Sequence, residues 1–316
     1  MLSAVAGLAL LLTAAGPASA QVKGLDIIAP ANPGGGWDQT ARAMQAALQE
    51  AGLASGVQVQ NIGGAGGTIG LAQFVSSTKR RGDAVLVGGQ VMVGAILTNK
   101  APVTLDEITP LARLTGEYEA IVVPADSPIK TMADLAAKLK ADPGSVSWAG
   151  GSTGGTDHIL AGLIAKAVGA DPTKVNYIAH SGGGEALAAI LGGHVTTGVS
   201  GWQEFSSQVA AGKLRALAMS SDERLPGIDV PTLKEGGVDV SLVNWRGVMA
   251  PPGIRDADLK ALSAAMDKMV QSPAWKETLK TRGWIDLYQP AAEFKTFLEK
   301  DRAQVVGILK DVGLVK

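Results

Sequence analysis

The chain has no cysteine, which excludes disulfide frameworks, cysteine nucleophiles, thiolate metal sites and lipid attachment at a lipobox cysteine. Aromatic residues are scarce, at 4%. Neither charge sign is in excess: 28 basic and 29 acidic residues all lie beyond Ala20, and no basic stripe of the kind a nucleic-acid binder shows is present. No apolar run after the first twenty residues reaches the length of about 20 needed to span a bilayer. No His/Asp/Glu cluster has metal-ligand spacing, so neither a metal nor a cofactor is expected.

The first twenty residues hold no charged side chain. They contain the apolar run Ala4–Leu12 and end in Ala18-Ser19-Ala20, the small-x-small pattern that a signal peptidase reads. A cleaved export segment with its cut after Ala20 is expected, leaving about 296 residues, enough for one large or two medium domains.

Glycine is what the chain has in abundance, 41 in all, clustered at the ends of strand-like runs. Leu25–Ala29 reads as a buried strand, followed by the loop Pro30–Gly36 and a helix with Ala41, Met44, Leu48 and Ala51 on one face, stopped by Gly52. Val57–Asn61 is the next strand, Gly63–Thr68 the next loop, Ile69–Ser76 a helix and Ala84–Gly88 a third strand. A second unit begins around Ala120–Pro124 and repeats this grammar, with a capping box at Thr131–Asp134. Its strands are Ser145–Trp148, Val175–Ile178, Val195–Val199 and Leu214–Met219. Val243–Pro252 brings the chain back, and two amphipathic helices, one through Leu259, Leu262, Met266 and Met269 and one through Phe294, Phe297, Val305 and Leu309, cover the first unit. The alternation implies a parallel α/β architecture of two lobes: 21–121 with 247–316, and 122–246.

Four loops share one design, with glycines at the C-terminal end of a strand and the start of a helix, which is where open α/β sheets bind ligands. Glycine lets backbone N–H groups converge, and a helix N-terminus adds about half a positive charge. Neither the Walker A pattern nor the dinucleotide spacing Gly-x-Gly-x-x-Gly is present. The stretches Pro30–Asp38, Gly63–Gly70, Ala149–His158 and His180–Glu185 hold no Lys or Arg, which a phosphate site would recruit. A carboxylate held by backbone N–H groups and hydroxyls fits better. Ser152, Thr153, Thr156 and Ser181 supply the hydroxyls, and His158, in the first turn after the third loop, is a candidate donor. Capping is the expected role of Asp38. Trp37, and Trp202 beside Gly201, stand where either could wall a pocket, whereas Trp148 and Trp245 fall in core strands. Ser181 lacks the Gly-x-Ser-x-Gly elbow, so no catalytic residue is assigned.

Pro33-Gly34-Gly35-Gly36-Trp37-Asp38-Gln39-Thr40-Ala41-Arg42 and Asn61-Ile62-Gly63-Gly64-Ala65-Gly66-Gly67-Thr68-Ile69-Gly70 resemble the substrate-binding family of the tripartite tricarboxylate transporters, also called the Bug receptors. The likeness continues through Gly182-Gly183-Gly184-Glu185-Ala186-Leu187, 212–218 and 245–253. Where the family usually has Asp-Gly-Tyr-Thr, this chain reads Gly82-Asp83-Ala84-Val85. The resemblance implies a periplasmic binding protein of the two-lobed, type II Venus-flytrap fold, monomeric and non-enzymatic, that delivers a small carboxylate to a permease of one large and one small subunit. It places the ligand at Gly34, Gly35, Gly36 and Asp38, and at Ala65, Gly66, Gly67 and Thr68, with the neighbouring Pro33 and Trp37 as further candidates. On the other lobe it places it at Ser152, Thr153, Gly154 and Thr156, and at Ser181, Gly182, Gly183 and Gly184. Citrate-like acids come first by this resemblance. An exported enzyme using His158 as base, and a sensor presenting its ligand to a histidine kinase, are the alternatives.

Overall fold

A computed structural model describes residues 21–180 and 183–316. The export segment, Ser181 and Gly182 therefore lie outside the described residues. The chain opens with β1 (Val22–Lys23), β2 (Asp26–Ala29), α1 (Gly36–Glu50), β3 (Ala54–Ser55), β4 (Gln58–Asn61), α2 (Thr68–Ser77), β5 (Ala84–Gly89) and α3 (Gln90–Thr98). Strands β4, β2 and β5 lie side by side in parallel, joined by strand–helix–strand units. β5 is buried along its whole length, as a central strand, parallel to β2 and antiparallel to a strand from the far end of the chain, is when helices cover its sheet. Helix α1 ends where Gly52 takes φ +66°, the left-handed residue that lets the last turn close.

The next strand, β6 (Thr109–Pro124), is 16 residues long and belongs to two sheets. Sequence patterning places a strand only from about Ala120, because the buried polar residues Thr115, Glu117 and Glu119 interrupt its apolar first half. After it come α4 (Met132–Ala141), β7 (Ser147–Gly150), α5 (Thr156–Ala167), β8 (Asn176–Ala179), α6 (Gly183–Leu191), β9 (Thr197–Gly201), α7 (Trp202–Ala210) and β10 (Leu214–Met219). The capping box expected at Thr131 and Asp134 is formed in full. Strands β8, β7 and β9 repeat the arrangement of β4, β2 and β5.

The chain returns through β11 (Val243–Ala250) to α8 (Asp256–Gln271), α9 (Pro273–Arg282), β12 (Ile285–Pro290) and α10 (Ala291–Asp311). Three helices and a strand thus finish the chain where periodicity predicts two helices. Ser272 caps α9 and Pro273 sits in its first turn, so a separate helix starts directly after α8. β12 pairs antiparallel with β6, and its own residues are only half-buried, so it carries no apolar signature.

β6 changes partners in mid-course. Up to Tyr118 it pairs with β11 and β12, and from Glu119 onward with β9 and β10. β11 pairs only with β5 and β6. One strand therefore runs through both sheets, and its midpoint lies beneath the place where the strand-to-helix loops of the two halves meet. The main core holds the fully buried Trp148, Trp245 and Trp275, and a smaller one forms around Phe205 and Ile190.

Candidate functional site

Six helices start at the ends of strands facing one cleft: α1, α2, α3, α5, α6 and α7. Five of these have a described N-cap, and in every case it is a glycine with no side-chain cap: Gly35, Gly67, Gly89, Gly155 and Gly201. Thr131 and Ser272, by contrast, cap helices away from the cleft with their own hydroxyls. A glycine cap covers nothing, so first-turn N–H groups and the positive ends of several helix dipoles are left facing the cleft.

The cleft has an outer vestibule of about 1000 Å³ and, beneath it, an inner chamber of about 160 Å³. Pro33, Gly34 and Gly35 of the first loop line the vestibule, with Ala65, Gly66 and Gly67 of the second. Across from them stand Ser152, Thr153, Gly183 and Gly184. No Lys or Arg lines the vestibule among the described residues, in keeping with the neutral loops of the sequence. Trp37 walls both spaces, wedged so close to the second loop that a Cβ on Gly67 would sit 2.5 Å from its ring. Gly36, Thr156 and Gly201 line the inner chamber, where Thr156 Oγ1 donates to Asn244 Oδ1 at 3.3 Å.

Other candidate residues stand behind this surface. Asp38 lies under the first loop, where its carboxylate accepts from Gly34 N at 2.8 Å, Asn61 Nδ2 at 2.9 Å and Arg42 Nε at 2.9 Å. Burial pushes the Asp38 carboxyl upward, but hydrogen bonds from Arg42, Gly34 and Asn61 outweigh it and hold the group below its usual range. Asp38 thus ties the first loop to the end of β4 rather than capping its helix. Thr68 turns its hydroxyl back to Ala65 O, and Gly154, at φ +74°, fits against Thr98 of α3. His158 lines neither space. Its ring stacks on Tyr177 at 4.0 Å, its Nδ1 accepts from Gly154 N at 3.3 Å, and burial lowers its pKa to about 4. A neutral, stacked imidazole tied to its own loop serves that loop's shape. Trp202 lines neither space, while Trp148 and Trp245 are fully buried.

The floor of the inner chamber is made of residues that the glycine pattern does not reveal: Glu117 and Glu119 on β6, Asn244 and Arg246 on β11, Asp157 on α5 and Glu204 on α7. Arg246 and Glu117 form a buried ion pair. Asp157 Oδ2 accepts from Gly151 N at 2.7 Å, and Glu204 Oε2 from Ser200 Oγ at 2.9 Å. Both oxygens of the fully buried Glu119, and Nη1 of Arg246, have no partner among the described residues. Burial, reinforced by the charges of Asp157, Glu117 and Glu204, drives the Glu119 pKa well above the ordinary carboxyl value. Burial also raises Glu204, and lifts Asp157 to about 7 against the pull of the Gly151 hydrogen bond. Four carboxyls and one guanidinium share this floor. These polar positions lie far apart in the chain, and nothing in one sequence shows that β6 and β11 bring them together beneath the loops.

Comparison with known proteins agrees with this architecture. Residues 40–314 match the family model of the tripartite tricarboxylate transporter family receptor, TctC. The protein BugT of Bordetella pertussis is 28% identical over 92% of this chain and 89% of its own length. The crystal structure of a TctC solute binding protein from Polaromonas, without ligand, shares 28% identity and a TM-score of 0.70, covering 91% of this chain and 98% of that one. Rpa4515 of R. palustris, solved with adipate, matches in fold at 21% identity and a TM-score of 0.83, over 92% of this chain and 97% of that one. With its two sheets, shared strand and glycine-lined cleft, the chain belongs to the tripartite tricarboxylate transporter receptor family, the periplasmic solute-binding proteins of TctC and Bug type.

Proposed function

We propose that this receptor grips the carboxylate of a small organic acid in the vestibule, between loops of two lobes, and hands it to a membrane permease of one large and one small subunit. The observation that carries the reading is the opposition, across one cleft, of helices that begin on uncapped glycine. Their backbone donors suit a single carboxylate, and the described lining of the vestibule holds no Lys or Arg to attract phosphate. The change of partners on β6 favours a lobe boundary between Tyr118 and Glu119, with the return just before Val243, slightly earlier on both strands than the sequence suggests. Export by a segment cut after Ala20 fits the periplasmic home of the family.

The ligand sites are those that line the cleft, from Pro33 to Trp37, Ala65 to Gly67, Ser152, Thr153, Thr156, Gly183, Gly184 and Gly201. Citrate-like acids rank first by family resemblance, but the acidic floor disfavours a second carboxylate reaching the inner chamber. Binding is expected to close the lobes through contacts absent from the open form, since a ligand shifts an equilibrium only by its differential affinity. Calorimetric titration with a panel of small carboxylates, followed by NMR of the recovered ligand, tests the proposal. Saturable one-site binding without chemical change supports it. Failure of every carboxylate to bind, or its conversion by the pure protein, overturns it.

A further inference from the structure

We infer that the ligand of this receptor is a small carboxylate that also carries a protonated amine, with the ammonium seated in the inner chamber among Glu119, Asp157 and Glu204. The inference rests on the carboxylate-receptor reading above and deepens it.

Two independent observations support it. The first is an excess of acidic groups in a confined space: four carboxyls, Glu117, Glu119, Asp157 and Glu204, face one guanidinium, Arg246, which is already paired to Glu117. Ser181 and Gly182 add no charge to it. The second is a set of buried groups left without partners. Glu119 is fully buried with both oxygens unsatisfied among the described residues, and it lines the chamber. Leaving such acceptors unmet costs more than a single hydrogen bond contributes, so a buried unpaired carboxyl marks where a donor is missing. An ammonium offers three donors and no acceptor. Glu119, Asp157 and Glu204 come from β6, α5 and α7, so three acceptors reach the chamber from three separate elements. The chamber, about 160 Å³, has room for an ammonium and its adjoining carbons, while the vestibule above, with no Lys or Arg among its described lining residues, offers the backbone donors that receive the carboxylate.

The groups facing this cation are Glu117 and Glu119 of β6, Arg246 of β11, Asp157 of α5, Glu204 of α7 and, behind them, Tyr177 of β8. In the empty cleft, burial and mutual repulsion favour the protonated form of Glu119, Asp157 and Glu204. An ammonium stabilises their anions, so its binding releases protons and tightens as pH rises from about 5 to 8. A second ligand carboxylate in the same place would do the reverse, taking up protons and binding more weakly as pH rises. His158 is neutral throughout this range and does not alter the sign.

The test uses the mature protein and a matched ladder of probes: glycine, β-alanine, 4-aminobutanoate and 5-aminopentanoate, the dicarboxylates from malonate to adipate, and unsubstituted monocarboxylates of equal length. Each is titrated at pH 5.5 and 8 in buffers of differing ionisation enthalpy. The inference expects at least one aminocarboxylate to bind roughly tenfold or more tightly than its dicarboxylate and monocarboxylate counterparts, with proton release. Glu119→Gln and Glu204→Gln should each weaken it by roughly tenfold while leaving the thermal transition cooperative, two positions guarding against one misfolded variant. Preference for a dicarboxylate, or equal binding of amine-bearing and plain acids, overturns the inference and leaves the receptor reading intact. Binding of no carboxylate at all overturns both.

Discussion

Arg246 on β11 and Glu117 on β6 form an ion pair at the base of the cleft, and the guanidinium lies so close to α1 that a Cβ on Gly36 would come within 2.5 Å of Nη2. The pair joins strands 129 residues apart and locks the floor to the first binding loop. Breaking one side of a buried pair leaves a charge with no counterion, at a cost of about 3–5 kcal/mol. Arg246→Met is therefore expected to destabilise the protein by about that much at pH 8, and by less at pH 5, where Asp157, raised to about 7, holds its proton and the floor carries less negative charge. Denaturant unfolding at both pH values measures this.

Gly67 has φ +88° and faces the Trp37 ring, so any Cβ there meets both backbone strain and a collision. Gly67→Ala is expected to cost about 1–3 kcal/mol and to push the second loop away from the cleft. Ligand affinity should fall with it, whereas Gly169→Ala, a left-handed glycine with nothing nearby, should lose stability without the same loss of binding. Titration calorimetry alongside thermal melts separates the two.

Gly94 of α3 lies against the carbonyl of Gly154, where the chain's two halves touch behind the cleft. A Cβ at that position cannot coexist with this contact. Gly94→Val is expected to hold the halves apart, raising the radius of gyration in small-angle scattering and weakening ligand binding while the individual sheets stay folded. An unchanged scattering profile with full affinity would refute the role of this contact in closure.

His158 and Asp157 are neighbours with opposite pH signatures. Burial lowers His158 to about 4 from 6.5, so the native state binds fewer protons than the unfolded chain, and this contribution to stability is lost as pH falls from about 6.5 to 4. Burial raises Asp157 from 3.8 to about 7, so its native state holds the proton longer, and stability declines as pH rises between those values. His158→Phe, which keeps the stack on Tyr177, should flatten the first slope and change ligand affinity by less than about threefold. Asp157→Asn should flatten the second and stabilise the empty protein by roughly 1–2 kcal/mol at pH 8. Chemical unfolding across pH 4–8 reads both.

Much of the first level of this structure is legible locally. The glycine clusters, the capping box at Thr131 and Asp134, and the apolar faces of α1 and α5 are set by residues within a few positions of one another. The terminal segment is less legible. β12 is half-buried and pairs with a distant strand, so no alternation announces it, and α9, opened by a serine cap and proline, falls between the two helices that periodicity places. Among the candidate ligand residues, the glycines and hydroxyls that reach the cleft were marked by their position after strands. His158, Thr68, Gly154 and Asp38 share that position but face inward, a choice that only packing makes.

The sequence by itself determined a grip of backbone donors, because glycine after a strand and before a helix dictates local geometry without help from the rest of the chain. It also determined that this grip would be free of Lys and Arg. Tertiary structure decided what lies beneath. Glu117, Glu119, Asn244 and Arg246 meet only because β6 runs on through two sheets and β11 returns beside it, while Asp157 and Glu204 descend from helices on the other side. Charges so far apart in the chain leave no periodic trace, and their mutual burial, which gives the floor its chemistry, exists only once the sheets are assembled.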